Sequence, residues 1–228
     1  VHWPEVSLAA WLRQQLPAGG RVGFDPWLHT VDQIAQAQKV LSGSGIDLVK
    51  TDNLVDAIWE DQPSPPMAPA KVHPLEFAGE PHEAKRARLA KTLVEAGARA
   101  ALVTLPDSIC WLLNIRGADI ERNPVVHGFA ILHSDATVDL FSEPSKFAGL
   151  AKHLGPEVRL RSPALFLDAV AALAGPVRID AATIPQIVAD RLGDAAVHGT
   201  EPCALPKACK NAAEIEGAAQ AHLRDGAA

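Results

Sequence analysis

The residues best placed to do chemistry fall in one run, Trp111-Leu112-Leu113-Asn114-Ile115-Arg116-Gly117-Ala118-Asp119-Ile120-Glu121-Arg122-Asn123-Pro124-Val125, the densest polar segment of the chain. Arg116 and Asp119 are close enough in a tight turn to pair, with Gly117 supplying the conformational freedom such a turn asks for. Asn123-Pro124 then forces an extended entry into the next element. A guanidinium–carboxylate pair of this kind reads first as a buried or half-buried structural ion pair and second as a binding site.

Elsewhere the residue types are right but the spacing is not. Nine histidines are spread along the chain without an HExxH or an i, i+4 pair on a helix. His127 and His133 fall six apart in a predicted hairpin and share a face, which could supply two metal ligands, but an even spacing on a strand is common by chance. Asp52, Asp56, Glu60 and Asp61 read as a solvated acidic face, since no second cluster meets them. The basic trio Lys85, Arg86 and Arg88 sits on a predicted helix and reads as a solvated face too. Cys110, set among Ile109, Trp111, Leu112 and Leu113, reads as a buried, inert thiol. There is no GxSxG and no phosphate-binding loop, and Gly43-Ser44-Gly45 reads as a helix stop. On these grounds no residue is assigned a catalytic, cofactor-binding or metal-binding role.

The elements that would position these groups alternate. Helices are predicted over 7–16, Val31–Leu41, 81–96, 109–113, 145–154 and 163–173, and strands over 21–24, 46–49, 100–105, 125–132, 137–141, 158–160 and 177–180. Residues 54–59 read as a short helical or extended segment. The helix over 81–96 carries Ala87, Ala90, Leu93 and Val94 at helical spacing, and Asp107 or Ser108 can cap the helix that follows. Pro63, Pro65, Pro66 and Pro69 remove donors and fix φ, which makes 62–69 an extended connector and the domain boundary. The order of elements favours an α/β fold, a mixed sheet flanked by helices.

The stretch Val22-Gly23-Phe24-Asp25-Pro26 matches Val177-Arg178-Ile179-Asp180-Ala181, and the match runs without a gap back to about Val6, which aligns with Arg161. Each copy is helix, small-residue turn, short apolar strand ending in Asp, then helix, the signature of two related units. The second copy is preceded by strands and helices that the first lacks. With Val at position 1, a single internal methionine at Met67 and a helix begun at Asn211 that runs to Ala228 without a stop, the chain reads as a piece of something longer. Asn211 caps that helix and Glu214 closes a capping box.

Composition bounds the class. Hydrophobic residues at 48% and charged residues at 21% describe an ordinary globular chain. A net charge of −6 argues against nucleic acid, which selects a basic stripe. No apolar run reaches the roughly 18 residues that cross a bilayer, so no membrane partner is expected. Three cysteines, Cys110, Cys203 and Cys209, form no CxxC pair and fit reduced thiols in a cytoplasmic protein.

The 107–125 segment also carries a resemblance. Asp107-Ser108-Ile109-Cys110-Trp111-Leu112-Leu113-Asn114-Ile115-Arg116-Gly117-Ala118-Asp119-Ile120 followed by Asn123-Pro124-Val125 resembles the middle domain of the three-domain Xaa-Pro aminopeptidases. Three further motifs match that family in order: Arg21-Val22-Gly23-Phe24-Asp25-Pro26, Asn53-Leu54-Val55-Asp56-Ala57-Ile58-Trp59-Glu60-Asp61-Gln62-Pro63, and Lys207 to Gly217 with Ala221-His222-Leu223-Arg224-Asp225. The resemblance implies creatinase-N-like units, one truncated over 1–62 and one complete over 63–205, with 206–228 opening a pita-bread peptidase domain that is otherwise absent. It implies a parent, a cytoplasmic homodimer, that removes the N-terminal residue from short peptides with proline second, using two divalent ions, manganese by expectation, to activate a bridging hydroxide. The family's metal ligands have no counterpart in 1–228, so the segment is expected to be an inactive scaffold, with Arg116, Asp119 and Asn123 structural or interdomain.

Two other readings compete. One is a stand-alone, non-catalytic creatinase-N-like binding or regulatory module. The other is an unrelated small-molecule-binding α/β domain, whose mark would be a deep apolar pocket lined by 107–125. Under the truncated reading, the strands at 21–24 and 46–49 lack sheet partners, and this half of the chain is expected to aggregate or dimerise and to be cleaved first.

Overall fold

A computed structural model describes residues 7–227. The part of the internal match that reaches Val6 and the helix end at Ala228 lie outside the described residues.

Along the chain the elements run α1 (Leu8–Gln15), β1 (Gly20–Phe24), α2 (Val31–Leu41), β2 (Ile46–Lys50), β3 (Lys71–Val72), α3 (Leu75–Ala78), α4 (His82–Glu95), β4 (Ala100–Val103), α5 (Pro106–Leu113) and β5 (Ile115–Arg116). They continue with β6 (Phe129–His133), β7 (Val138–Phe141), α6 (Ala151–Leu154), β8 (Val158–Arg161), α7 (Phe166–Ala171), β9 (Val177–Ile179), α8 (Gln186–Leu192), β10 (Ala196–His198), α9 (Ala204–Ala208) and α10 (Ala212–Asp225). The chain divides into two compact units. The first holds residues up to Ser64 with Ala181–Arg191, and the second holds Pro65–Asp180 with the residues from Leu192 onward.

In the first unit β1 and β2 pair in parallel, Gly20 opposite Ile46 through Phe24 opposite Lys50. Its helices start where the sequence offers caps. The Ser7 hydroxyl accepts from Ala10 N at 3.3 Å, and Thr30 and Gln33 exchange a reciprocal capping box that sets the first turn of α2. A small core gathers Ala9, Leu41 and Ile46, with Leu12, Val22, Val40 and Leu48 partly covered around it. Residues 181–191 hold to this unit through Val31 N donating to Ile184 O and through Lys50 paired with Asp190 at 2.5 Å. Residues 54–57 form turns rather than a helix or strand, and Leu54, Val55, Ile58 and Trp59 stand exposed.

The second unit is built on a six-stranded mixed sheet in the order β10-β9-β4-β6-β7-β8. β4, β6 and β7 are antiparallel neighbours, while β9 pairs in parallel with β4 and β10, and β8 in parallel with β7. β4 and β7 are buried along their whole length: β4 is a continuous apolar strand covered on both faces, while β7 buries Asp139 against His133, Arg159 and Arg161. The mixed α/β sheet expected from the alternation of elements is therefore present.

Some local expectations are corrected. The buried stripe of α4 is His82, Lys85, Arg86, Leu89, Ala90 and Leu93, while Ala87 and Val94 face out. The helix expected over 145–154 is two pieces, a 3-10 turn at Pro144–Phe147 and α6, because Ala148 turns extended at ψ 123. The 163–173 helix likewise opens with a 3-10 turn, Pro163–Leu165, before α7. α5 is capped at Leu105 with Pro106 in its first turn, and neither Asp107 nor Ser108 closes it. The strand expected over 125–132 starts only at Phe129. The backbone before it is engaged elsewhere: Gly117 N donates to Pro124 O, Asp119 N to Val125 O, and Val126 N to Cys110 Sγ at 3.3 Å.

Candidate functional site

Within the second unit, His73 and Phe77, the first turns of α5, Arg116 of β5, the loop Asn123-Pro124-Val125, and α10 enclose a cleft of about 480 Å³. Each wall has a local cause. α5 ends where Asn114 adopts the left-handed region at φ 50. Its side chain is held at both ends: Lys85 Nζ donates to Oδ1 at 2.8 Å and Nδ2 donates to Glu80 O at 2.8 Å. That reversal feeds Ile115-Arg116 into β5, antiparallel to β3, with His73 N donating to Asn114 O at 2.7 Å. The opposite wall is fixed by Asn211. It caps α10 by accepting from Glu214 N, the Glu214 carboxylate accepts in turn from Asn211 N, and Asn211 Nδ2 donates to Ala78 O at 2.8 Å. Gly79 follows α3 at φ 69, and a Cβ there would stand 2.2 Å from Asn211 Oδ1, so only glycine fits beside that cap.

The cleft is electrically mixed. Asp107 is paired with Lys207, and Lys210 donates to Lys207 O. Arg116 donates from Nη1 to Ile115 O at 2.9 Å and makes no ion pair among the described residues. Burial pushes its guanidinium below its ordinary value, yet an arginine stays charged. Burial, then the neighbouring Arg116 and Lys85 charges, pulls His73 down, favouring the neutral imidazole. Phe77, Trp111, Pro124 and Val125 supply apolar wall.

Beside the cleft lies a buried relay. Lys207 Nζ donates to Ser108 Oγ at 3.2 Å, Ser108 Oγ donates to Glu201 Oε2 at 2.8 Å, and Glu201 Oε1 accepts from Cys203 N at 3.1 Å. A serine beside a lysine has the look of a nucleophile and base, but Ser108 is fully buried and its proton is committed to Glu201. The arrangement satisfies a buried carboxylate. Burial, reinforced by Glu201, raises the Cys203 thiol well above its ordinary value, and burial raises Cys110 as well, so both are poor nucleophiles.

The expected Arg116–Asp119 pair does not form. The Asp119 side chain is enclosed, paired with Lys146 and accepting from His127 N at 2.6 Å, so the buried ion pair exists with a different cation. Gly117 is not at positive φ. It is required because a Cβ there would lie 2.7 Å from Val125 O. Of the residues singled out in this segment, Arg116 and Asn123 line the cleft and Asp119 does not.

The basic trio is also corrected. Lys85 is 1% exposed and donates to Trp111 O at 3.1 Å, its ammonium 4.3 Å from the indole centroid, and Arg86 is buried with Nη1 donating to Ala136 O at 2.7 Å. Arg88 alone stays at the surface, paired with Glu80 at 2.8 Å. These interior cations serve as acceptors' partners at the end of α5 and in the β6–β7 turn. Helical phase could have found them, since 82, 86, 90 and 85, 89, 93 continue one apolar stripe. His127 lies outside any strand, and His133 Nε2 bonds Asp139 at 2.8 Å. Asp52, Asp56, Glu60 and Asp61 are all exposed. Among the described residues no three His, Cys, Asp or Glu side chains converge as a metal site needs, and no helix is long and apolar enough to cross a membrane.

Comparison with known proteins gives a consistent answer. Residues 61–214 match the creatinase/prolidase N-terminal domain. Curated proteins named "Probable Xaa-Pro aminopeptidase P" from Coccidioides posadasii and Paracoccidioides lutzii are each 35% identical over 96% of this chain. The chain spans 36% of the first and 38% of the second, so just over a third of their length. Among solved structures, the X-prolyl aminopeptidase of Caenorhabditis elegans, described as a cytosolic enzyme with a di-nuclear active site, superposes with a TM-score of 0.86 at 26% identity, over 99% of this chain and 38% of that one.

Proposed function

Because this chain belongs to the creatinase/prolidase N-terminal-domain family, we propose that it is the non-catalytic scaffold of a metal-dependent aminopeptidase that removes the residue preceding a proline from the N-terminus of short peptides. The observation that carries this reading is the match to X-prolyl aminopeptidases across almost the whole chain. The described residues offer no converging ligand set for a di-metal centre, so in this reading the ions, manganese by expectation, are held by the remainder of a longer protein. When bound, such ions acidify a water and polarise the scissile carbonyl. The part proposed for this chain is mechanical. One complete creatinase-N-like unit and part of a second would flank the catalytic domain and restrict its cleft to short peptides, with α10 as the first helix of that domain. A cytoplasmic setting fits the three free cysteines and the cytosolic relative.

The test is an assay of a proline-second peptide with manganese present and absent. The 228-residue chain is expected to be inert, and the same chain extended through its downstream coding sequence is expected to be active. Turnover by the 228-residue chain itself would overturn the scaffold reading. A downstream sequence without two Asp, one His and two Glu in metal-binding order would overturn the peptidase reading and favour a stand-alone module.

A further inference from the structure

We propose that the cleft beside Arg116 is a binding site for a small carboxylate that carries an apolar group. This inference goes beyond the scaffold reading and does not depend on it, since it concerns a cavity lined by this chain's own residues. Its central observation is an arginine held in place but not used up. The guanidinium offers five N–H donors in a planar fork. One bond, from Nη1 to Ile115 O, anchors it, and no carboxylate takes the rest among the described residues. An arginine so placed matches a carboxylate in bidentate geometry.

The surroundings are built to keep that fork free. Asp107, an acid of the cleft wall, is taken by Lys207, and Asp119, the acid nearest in sequence, is taken by Lys146. Glu214, the other acid of the cleft, has Oε2 engaged by Asn211 N in the capping box and reaches Arg116 through its charge alone, with no ion pair between them among the described residues. Lys210 adds a second cation on the α10 side. Counting Arg116, Lys207 and Lys210 against Asp107 and Glu214 leaves one positive charge facing the cavity. Phe77 and Trp111 provide the apolar contact that a bare inorganic anion could not exploit, and about 480 Å³ is in the range of small-molecule sites.

The probe is hippurate, a carboxylate with an aromatic ring, titrated into the 228-residue chain by calorimetry and by the indole N–H signals of its NMR spectrum. Saturable binding with a shifted Trp111 signal is expected. Replacing hippurate by its uncharged amide, or making R116Q, is expected to weaken binding at least about tenfold. R116K should recover part of it, and K210Q should weaken it only a few-fold. Phe77→Ala should reduce hippurate binding more than acetate binding, and an unchanged urea midpoint for each variant shows that the fold is retained. The proposal is overturned by no saturable binding up to about 10 mM, by an amide that binds as well as the acid, or by R116Q binding unchanged. Binding of acetate equal to that of hippurate would remove the apolar half of the claim. Failure of any of these leaves the peptidase assay untouched, so the two readings are separately testable.

Discussion

β1 and β9 come from matching stretches of sequence and each pairs in parallel with the strand that follows it, yet the two end in different states. β9 buries Val177 and Ile179 completely, whereas β1 buries none of its five residues. β9 has β10 on one edge and β4 on the other, while β1 has β2 alone among the described residues. The lesson is that an apolar strand motif specifies a strand but not its burial. Burial comes from flanking strands and covering helices, which lie elsewhere in the sequence.

That contrast can be pushed hardest by removing a large side chain from each unit. Phe141 in β7 is fully buried with its ring 5.2 Å from that of Phe166, and Phe141→Ala should cost about 3–5 kcal/mol in urea unfolding. Val22→Ala in half-exposed β1 should cost under about 1 kcal/mol. Similar losses at both sites would mean that β1 is as well supported as β7. Next in size is Gly79→Ala, which meets both positive φ and the Asn211 cap, and should cost about 2–4 kcal/mol from strain and lost capping together. Its mark would be faster hydrogen exchange along α10 with β4 and β6 unchanged.

Lys85→Met should cost about 1–3 kcal/mol, because Trp111 O and Asn114 Oδ1 lose their buried donor. It should also change the pH dependence. Burial lowers the Lys85 pKa from its ordinary 10.5, so just below 10.5 the unfolded chain holds more protons and stability rises with pH. The variant should lose that slope. A smaller effect is expected on the acid side. Burial lowers His82, and lowers His73 as well, from 6.5, so their contribution is full above 6.5 and is lost as pH falls and the unfolded chain binds protons first. The urea midpoint should drop between about pH 7.5 and 5.5, and His82→Gln should flatten the drop. Smallest of all, Asp56→Asn in the exposed turn should move stability by no more than about 0.5 kcal/mol.

How far the sequence foretold these results depends on the range of the interactions involved. α2 appears over the expected Val31–Leu41 and the Asn211–Glu214 capping box forms as read, because each rests on residues a turn apart. The mixed sheet was legible from the alternation of elements. Lys85 and Arg86 read as solvent-facing from their charge although their helical phase points inward, and their partners, Trp111 and Asn114 for one and Ala136 for the other, lie far along the chain. Asp119 reads as the partner of nearby Arg116 for the same reason, since its actual partner Lys146 is 27 residues away. The cleft was least legible. Its walls come from residues near 73, from 107–125 and from 207–218, and only the folded chain brings those segments together.

The contact between Gly79 and Asn211 carries an evolutionary consequence. One position has room for no side chain because the other holds an amide in that space. Among homologues, any residue other than glycine at the first position should coincide with a smaller one at the second. A collection of sequences in which the two vary independently would mean that nature does not enforce this fit.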